Sequence, residues 1–147
     1  MSSAPVRPEP PARDAYRDFY PLGTRWADND VYGHLNNVVY YALFDTAVNG
    51  WLVEAGQLTI GTSPIIGFVV SSQCDYFASL AFPDRLEAGL RVERIGRSSV
   101  TYGIGIFGLD APLAAAAGRF THVYVTADTR RPTPLPDAMR AALQTLA

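Results

Sequence analysis

The sequence holds a single cysteine, Cys74, so no internal disulfide can form and a reducing compartment is expected. No apolar run reaches the ~18 residues of a membrane-spanning helix, and residues 1–18 lack the apolar centre of a secretory leader. A cytoplasmic protein that enters no membrane is the expectation. Positive charge is also in short supply, with 12 basic residues against 14 acidic ones and a net charge of −2. No global field draws such a chain to nucleic acid, and a polyanionic ligand has to be met by local arginines. With 147 residues there is room for one sizeable core but not for two ordinary domains. A composition of 48% hydrophobic and 18% charged residues places the chain among globular proteins.

Residues 1–17 carry Pro5, Pro8, Pro10 and Pro11 among small and charged side chains. They offer little apolar surface to offset ordering entropy, so a flexible Pro-rich arm is expected there, with the domain occupying 18–147. A strand is expected over Phe19–Trp26. From Asn37 to Ala55, apolar residues fall at Tyr40, Phe44, Ala47, Val48, Trp51, Leu52 and Ala55, the stripe of a helix packed on a core. Asn36 is placed to cap its start and Gly56 to end it. Gly50 inside it costs roughly 1 kcal/mol against Ala.

Beyond Thr59–Pro64 the period changes to two. Phe68–Phe77, Arg85–Glu93, Val100–Leu109 and Leu113–Thr126 alternate, with turns at Pro83-Asp84, Gly96 and Asp110–Pro112 between them. A short helix is expected over Asp137–Leu146. The order is therefore a strand, one long helix and four strands joined by short turns, with no internal repeat. This is an α+β layout in which an antiparallel sheet of about five strands wraps one long helix, the hot dog fold.

Chemistry concentrates between Trp26 and Tyr40. Asp28 and Asp30 lie just before a helix start, with Gly33 and His34 between. A helix start exposes unpaired backbone N–H groups and partial positive charge, which can hold the oxygen of a carbonyl under attack. A carboxylate on the adjoining turn can attack the carbonyl carbon or activate a water that does. On residue chemistry alone, both aspartates fit turn formers and helix-end charges better than catalytic groups.

From Asp28 to Tyr40 the chain spells D-x-D-x-x-G-H-x-N-N-x-x-Y. This resembles the signature of the 4-hydroxybenzoyl-CoA thioesterase family of hot-dog hydrolases. Val69–Phe77, the Phe82–Leu86 turn, and Asp128–Pro132 with Pro134–Pro136 also have counterparts in that family, so the likeness spans about residues 19–140. The resemblance implies hydrolysis of an acyl-CoA to free acid and CoA, with no separate cofactor and no metal, CoA being part of the substrate. It puts the catalytic carboxylate on Asp30 and the carbonyl-polarising N–H on Asn37. Gly33 permits the tight turn, and His34 either contacts substrate or bonds the turn. Asp28 is expected to be structural. Arg97, Ser98 and Ser99 fall where the family contacts pantetheine and phosphate, with Arg130 and Arg131 similar candidates, since guanidinium groups suit phosphate; solvated surface arginines are the plain alternative. Tyr40, with Tyr41, Phe44 and Trp51, offers aromatic surface to an acyl group or to the core. The family also implies a homodimer, or a dimer of dimers, with the site at the interface.

Other readings are weaker. Gly103–Gly108 spells GxGxxG, yet its glycines interleave with a period-two strand and no helix follows, as a dinucleotide site requires. Cys74, His34 and His122 have no metal-ligand spacing. Gly96–Val100 lacks the second glycine of a nucleophile elbow and precedes a strand. Hot-dog enoyl-CoA hydratases resemble this chain less, since their D-x-N-P-x-H pattern is absent. A non-catalytic acyl-CoA-binding module is the alternative from another class, and retention of Asp30 argues against it.

Overall fold

The computed structural model describes residue 4 and residues 6–147. Five strands are present: β1 (Asp18–Leu22), β2 (Ile65–Tyr76), β3 (Leu86–Ile95), β4 (Ser99–Gly108) and β5 (Ala116–Thr126). The long helix α1 spans Val39–Glu54, and a second helix, α2, spans Asp137–Gln144. All neighbouring strands are antiparallel, in the order β1-β3-β4-β5-β2. The sheet packs its inner face on α1, which is the hot dog arrangement.

The helical stripe is buried as its spacing requires. Tyr40, Leu43, Phe44, Ala47, Val48 and Leu52 join one core with Leu86, Ala88, Leu90, Tyr102, Ile104, Ile106 and Phe120. Phe44 is fully enclosed and its ring lies against Gly118; truncation to Ala is expected to cost roughly 3–5 kcal/mol. Trp51 only partly joins this core, and its indole N–H donates to Asp18 Oδ2 at 2.9 Å. The helix stops in a Schellman motif. Gly56, at φ +73°, donates to the Val53 carbonyl, and the Gln57 N–H reaches back to Leu52.

Several boundaries differ from the sequence expectation. The first strand ends at Leu22 instead of Trp26, because Arg25 and Asp28 close a 3-10 turn over Trp26–Asp28 and leave Trp26 83% exposed. The helix begins at Val39, two residues late, because the Asn36 side chain takes the Val38 N–H and so shapes the preceding turn. In β2 the alternation slips between Val69 and Ser71, so Val69 and Ser72 lie opposite His122 and Phe120 on the same face. The last strand begins at Ala116, and α2 ends at Gln144.

Part of the arm drawn over residues 1–17 lies outside the described residues. Of the rest, Pro11, Arg13 and Tyr16 touch the sheet or the turn after β4. Arg13 donates to Glu87 and to the carbonyls of Ala111 and Gly108, and the Pro11 carbonyl accepts from Ala114. Tyr16 is buried, with its ring over Gly89 and Gly105, where any Cβ would lie about 2.6 Å from ring atoms. The GxGxxG spelling is thus partly a seat for Tyr16. This cover explains why β4 is buried on both faces while β2, at the sheet edge, is exposed along most of its length. No helix among the described residues is long and apolar enough to cross a membrane.

Candidate active site

The loop before α1 is held at both ends. Arg25 donates to Asp28 from its backbone N–H at 2.7 Å and from Nε and Nη2 at 3.0 and 2.8 Å. Asp28 is 3% exposed, and its backbone carbonyl accepts from the Asn36 N–H at 2.9 Å. Its carboxylate is therefore committed to structure. Asn29 pairs with Leu35 as an isolated bridge, and the Asp30 N–H donates to the His34 carbonyl. Gly33, at φ +85°, returns its N–H to the Asp30 carbonyl at 3.1 Å, a turn that side chains with a Cβ resist. The Leu35 N–H donates to Leu80, and the Phe82 N–H donates to Asn29 Oδ1, tying the loop to the segment before β3.

Asp30 presents its carboxylate on this loop, just before the exposed Val31 and Tyr32. Oδ1 accepts the Tyr32 N–H at 2.9 Å, while Oδ2 faces His34 Nδ1 at 3.8 Å, too long for a hydrogen bond. The carboxyl is 17% exposed and borders an open cavity of about 600 Å³ walled by Trp26, Asn29, Val31, Tyr32 and Asn36. His34 stacks on Tyr32 and brings Nδ1 within 3.3 Å of the Leu35 carbonyl.

The turn from Asn36 to Val38 has one backbone donor to spare. The Asn36 carbonyl accepts from Val39, the Asn37 carbonyl from Tyr40 and from the Tyr76 hydroxyl, and the Val38 N–H goes to Asn36 Oδ1. The Asn37 N–H has no acceptor among the described residues. It lies next to the start of α1, where the partial positive charge of the helix end adds to its pull on an anion. A second cavity, of about 180 Å³, opens here between His34, Leu35, Asn37, Tyr40, Tyr76, Ala78 and Ser79. Tyr40 is nearly fully buried, with its ring edge-on to Tyr76 at 5.0 Å.

The single chain brings Asp30, Gly33, His34, Asn37 and Tyr40 onto one loop and helix start, with Asp30 and Asn37 on neighbouring cavities. Arg97, Ser98, Ser99, Arg130 and Arg131 gather elsewhere. The Ser98 carbonyl accepts from Tyr124, Thr126 donates to the Arg131 carbonyl, and Arg130 lays its guanidinium over Phe68 at 5.4 Å. That is the opposite end of the sheet. Ser99 lies opposite Val123, whereas Tyr76 lies opposite Ala116, and the seven residue steps from Ala116 to Val123 span roughly 23 Å of strand.

Two features escaped sequence reasoning. Tyr76 meets Asn37 across 39 residues of chain, and nothing in an alternating strand marks that contact. His122 is 2% exposed among Tyr102, Phe120 and Tyr124, and neither ring nitrogen has a partner among the described residues. Burial lowers its pKa from 6.5 to about 4, with Asp45 opposing weakly, so it is a neutral imidazole. Among the described residues no three His, Cys, Asp or Glu side chains cluster as metal ligands do.

Comparison with known proteins bears on the fold and the family. The PA5185 protein from Pseudomonas aeruginosa strain PAO1 is similar in structure at a TM-score of 0.91 and 54% identity, covering 94% of this chain and 96% of that one. Slr0204, a 1,4-dihydroxy-2-naphthoyl-CoA thioesterase from Synechocystis, shares the fold at a TM-score of 0.76 and 20% identity, over 86% and 94% of the two chains. YsmA from Bacillus subtilis strain 168, an uncharacterized protein, is 22% identical over 89 residues, and the match spans only 60% of its length and 60% of this chain. The family profile described as the thioesterase-like superfamily matches residues 24–143, most of the chain and all of the site loop. The chain belongs to the thioesterase-like superfamily.

Proposed function

We propose that this protein hydrolyses the thioester of an acyl-CoA, with Asp30 as the catalytic carboxylate and the Asn37 N–H as the donor to the thioester oxygen. The observation that carries this reading is the spare Asn37 N–H just before α1, on the same loop as a carboxylate that, among the described residues, is engaged only by the Tyr32 N–H. Asp30 removes a proton from water as the water oxygen bonds to the acyl carbon, or its own oxygen attacks that carbon and water then opens the anhydride. In both routes negative charge builds on the carbonyl oxygen, where a fixed N–H is worth most. Collapse of that oxyanion breaks the C–S bond, in the second route before water opens the anhydride; CoA leaves as thiol with the proton that water gives up, and the acyl group leaves as acid.

The distance between Asp30 and the arginines favours a site shared by two copies. Strand β2 is an unpaired edge with Phe68, Val69 and Val70 exposed. Pairing β2 antiparallel with a partner's β2 turns the Arg97 and Arg130 end of one chain toward the Asp30 end of the other. The nucleotide phosphates of CoA then meet guanidinium groups while the thioester lies at Asn37. Release of free CoA, followed across short, long and aromatic acyl-CoAs, tests the activity. Turnover of at least one class above the uncatalysed rate is expected; binding of all without turnover would favour a non-catalytic acyl-CoA-binding module.

A further inference from the structure

We infer that Tyr76 is a positioning residue for this reaction, fixing the peptide that follows Asn37 and so aiming the Asn37 N–H. The inference rests on the proposed thioesterase reading and adds a residue from a distant strand.

The geometry is that of a clamp. The peptide joining Asn37 to Val38 is held at both ends, its N–H by Asn36 Oδ1 at 3.1 Å and its carbonyl by the Tyr76 hydroxyl at 3.0 Å. Tyr76 donates, since a carbonyl can only accept. A phenol keeps its proton at neutral pH, and burial raises the pKa of this one further. The helix supplies only a poor bond to the same carbonyl, from the Tyr40 N–H at 3.4 Å, because α1 has not yet settled into its ladder at this point. The clamp is itself anchored. Tyr76 is the last residue of β2, paired with Ala116 in β5, and its ring stands edge-on to Tyr40. Strand and helix start therefore meet at this peptide.

An oxyanion donor stabilises a transition state only if it already points where charge will develop, and a donor that has to reorganise loses most of its advantage. The peptide that carries the Asn37 N–H is held at its Asn36 carbonyl by the Val39 N–H at 3.0 Å, and the hydroxyl of Tyr76 holds the next peptide, so rotation about the Asn37 Cα is restrained from both sides. Tyr76 also walls the cavity beside Asn37, so loosening it acts where the acyl carbonyl is expected.

The test compares wild type and Tyr76→Phe by steady-state hydrolysis of the best acyl-CoA found, with binding of a non-hydrolysable acyl-CoA thioether and thermal unfolding as companions. Tyr76→Phe removes one oxygen from a partly exposed ring. The expected result is a kcat lower by roughly 10- to 100-fold, with thioether affinity and KM within about twofold and Tm within about 5 °C. Asn36→Ala, which frees the other end of the same peptide, is expected to add less to Tyr76→Phe than it costs alone, since one clamp is already lost. An unchanged kcat in Tyr76→Phe would overturn the inference and leave the thioesterase reading standing. Parallel loss of kcat, thioether binding and Tm would also overturn it, leaving Tyr76 a brace for the fold. If the wild type cleaves no thioester at all, the functional reading fails first and takes this inference with it.

Discussion

Asp30 and His34 face each other across the turn at Gly33, with Oδ2 of one 3.8 Å from Nδ1 of the other. Gly33 makes this possible by holding φ at +85°, and a Cβ there would meet nothing within 4 Å. Replacing Gly33 with Ala is thus a test of backbone conformation alone. The strain is expected to cost roughly 1–2 kcal/mol if the turn persists. If the turn relaxes instead, Asp30 moves and activity falls far more than stability. Chemical denaturation beside kcat distinguishes the two; a variant unchanged in both would mean that the turn does not need glycine.

The buried His122 makes stability depend on pH. Its folded pKa is about 4 against an ordinary 6.5, so below 6.5 the unfolded chain takes up a proton that the folded chain refuses. Stability is full above about pH 6.5 and falls as pH drops toward about 4, by about 3 kcal/mol over the whole window. Below that both states are protonated and the slope from this group ends. His122→Phe, which also removes two unpartnered nitrogens, is expected to flatten this slope without a large loss at pH 7. Denaturant unfolding from pH 4 to 8 checks it; an equal slope in both proteins would assign the acid sensitivity elsewhere.

Much of this was readable from the residues, and what was not has physical causes. The α1 stripe is legible because 3.6-residue periodicity marks a buried face. The site loop is legible because its glycine, histidine and two asparagines stand at fixed spacing beside the acids. The start of α1 is not, since whether Asn36 caps the helix or the turn before it depends on where its side chain points. The slip at Val69 hides because one extra residue in an edge strand leaves composition unchanged. Tyr16 over Gly105 and Tyr76 on Asn37 join distant parts of the chain, which local patterns do not reach. A single chain does not bring Arg97 and Arg130 to the site loop, because roughly 23 Å of sheet separates their end from that of Asp30.

The open β2 edge gives the third prediction. Val69 is exposed beside Phe68 and Val70, so a charge there does little harm to an isolated chain but spoils edge-to-edge pairing. Val69→Asp is expected to convert a dimer or larger assembly into monomers, with loss of turnover in proportion. Light scattering at micromolar concentration, paired with CoA release, reads both. A wild type that is monomeric and fully active would contradict a site shared between two copies.

Asp30 and Asp28 carry the same functional group two residues apart, and their surroundings separate them. Asp28 is enclosed by Arg25, whereas Asp30 is bonded, among the described residues, only by the Tyr32 N–H and is turned to a cavity. The most direct measurement is therefore CoA release by Asp30→Asn, which keeps the shape and the Tyr32 bond while removing the charge. A kcat at least about 100-fold below wild type, with circular dichroism, Tm and thioether binding near wild type, is the expected result. A folded Asp30→Asn variant that keeps kcat within a few-fold of wild type would contradict the assignment and move the chemistry to another group.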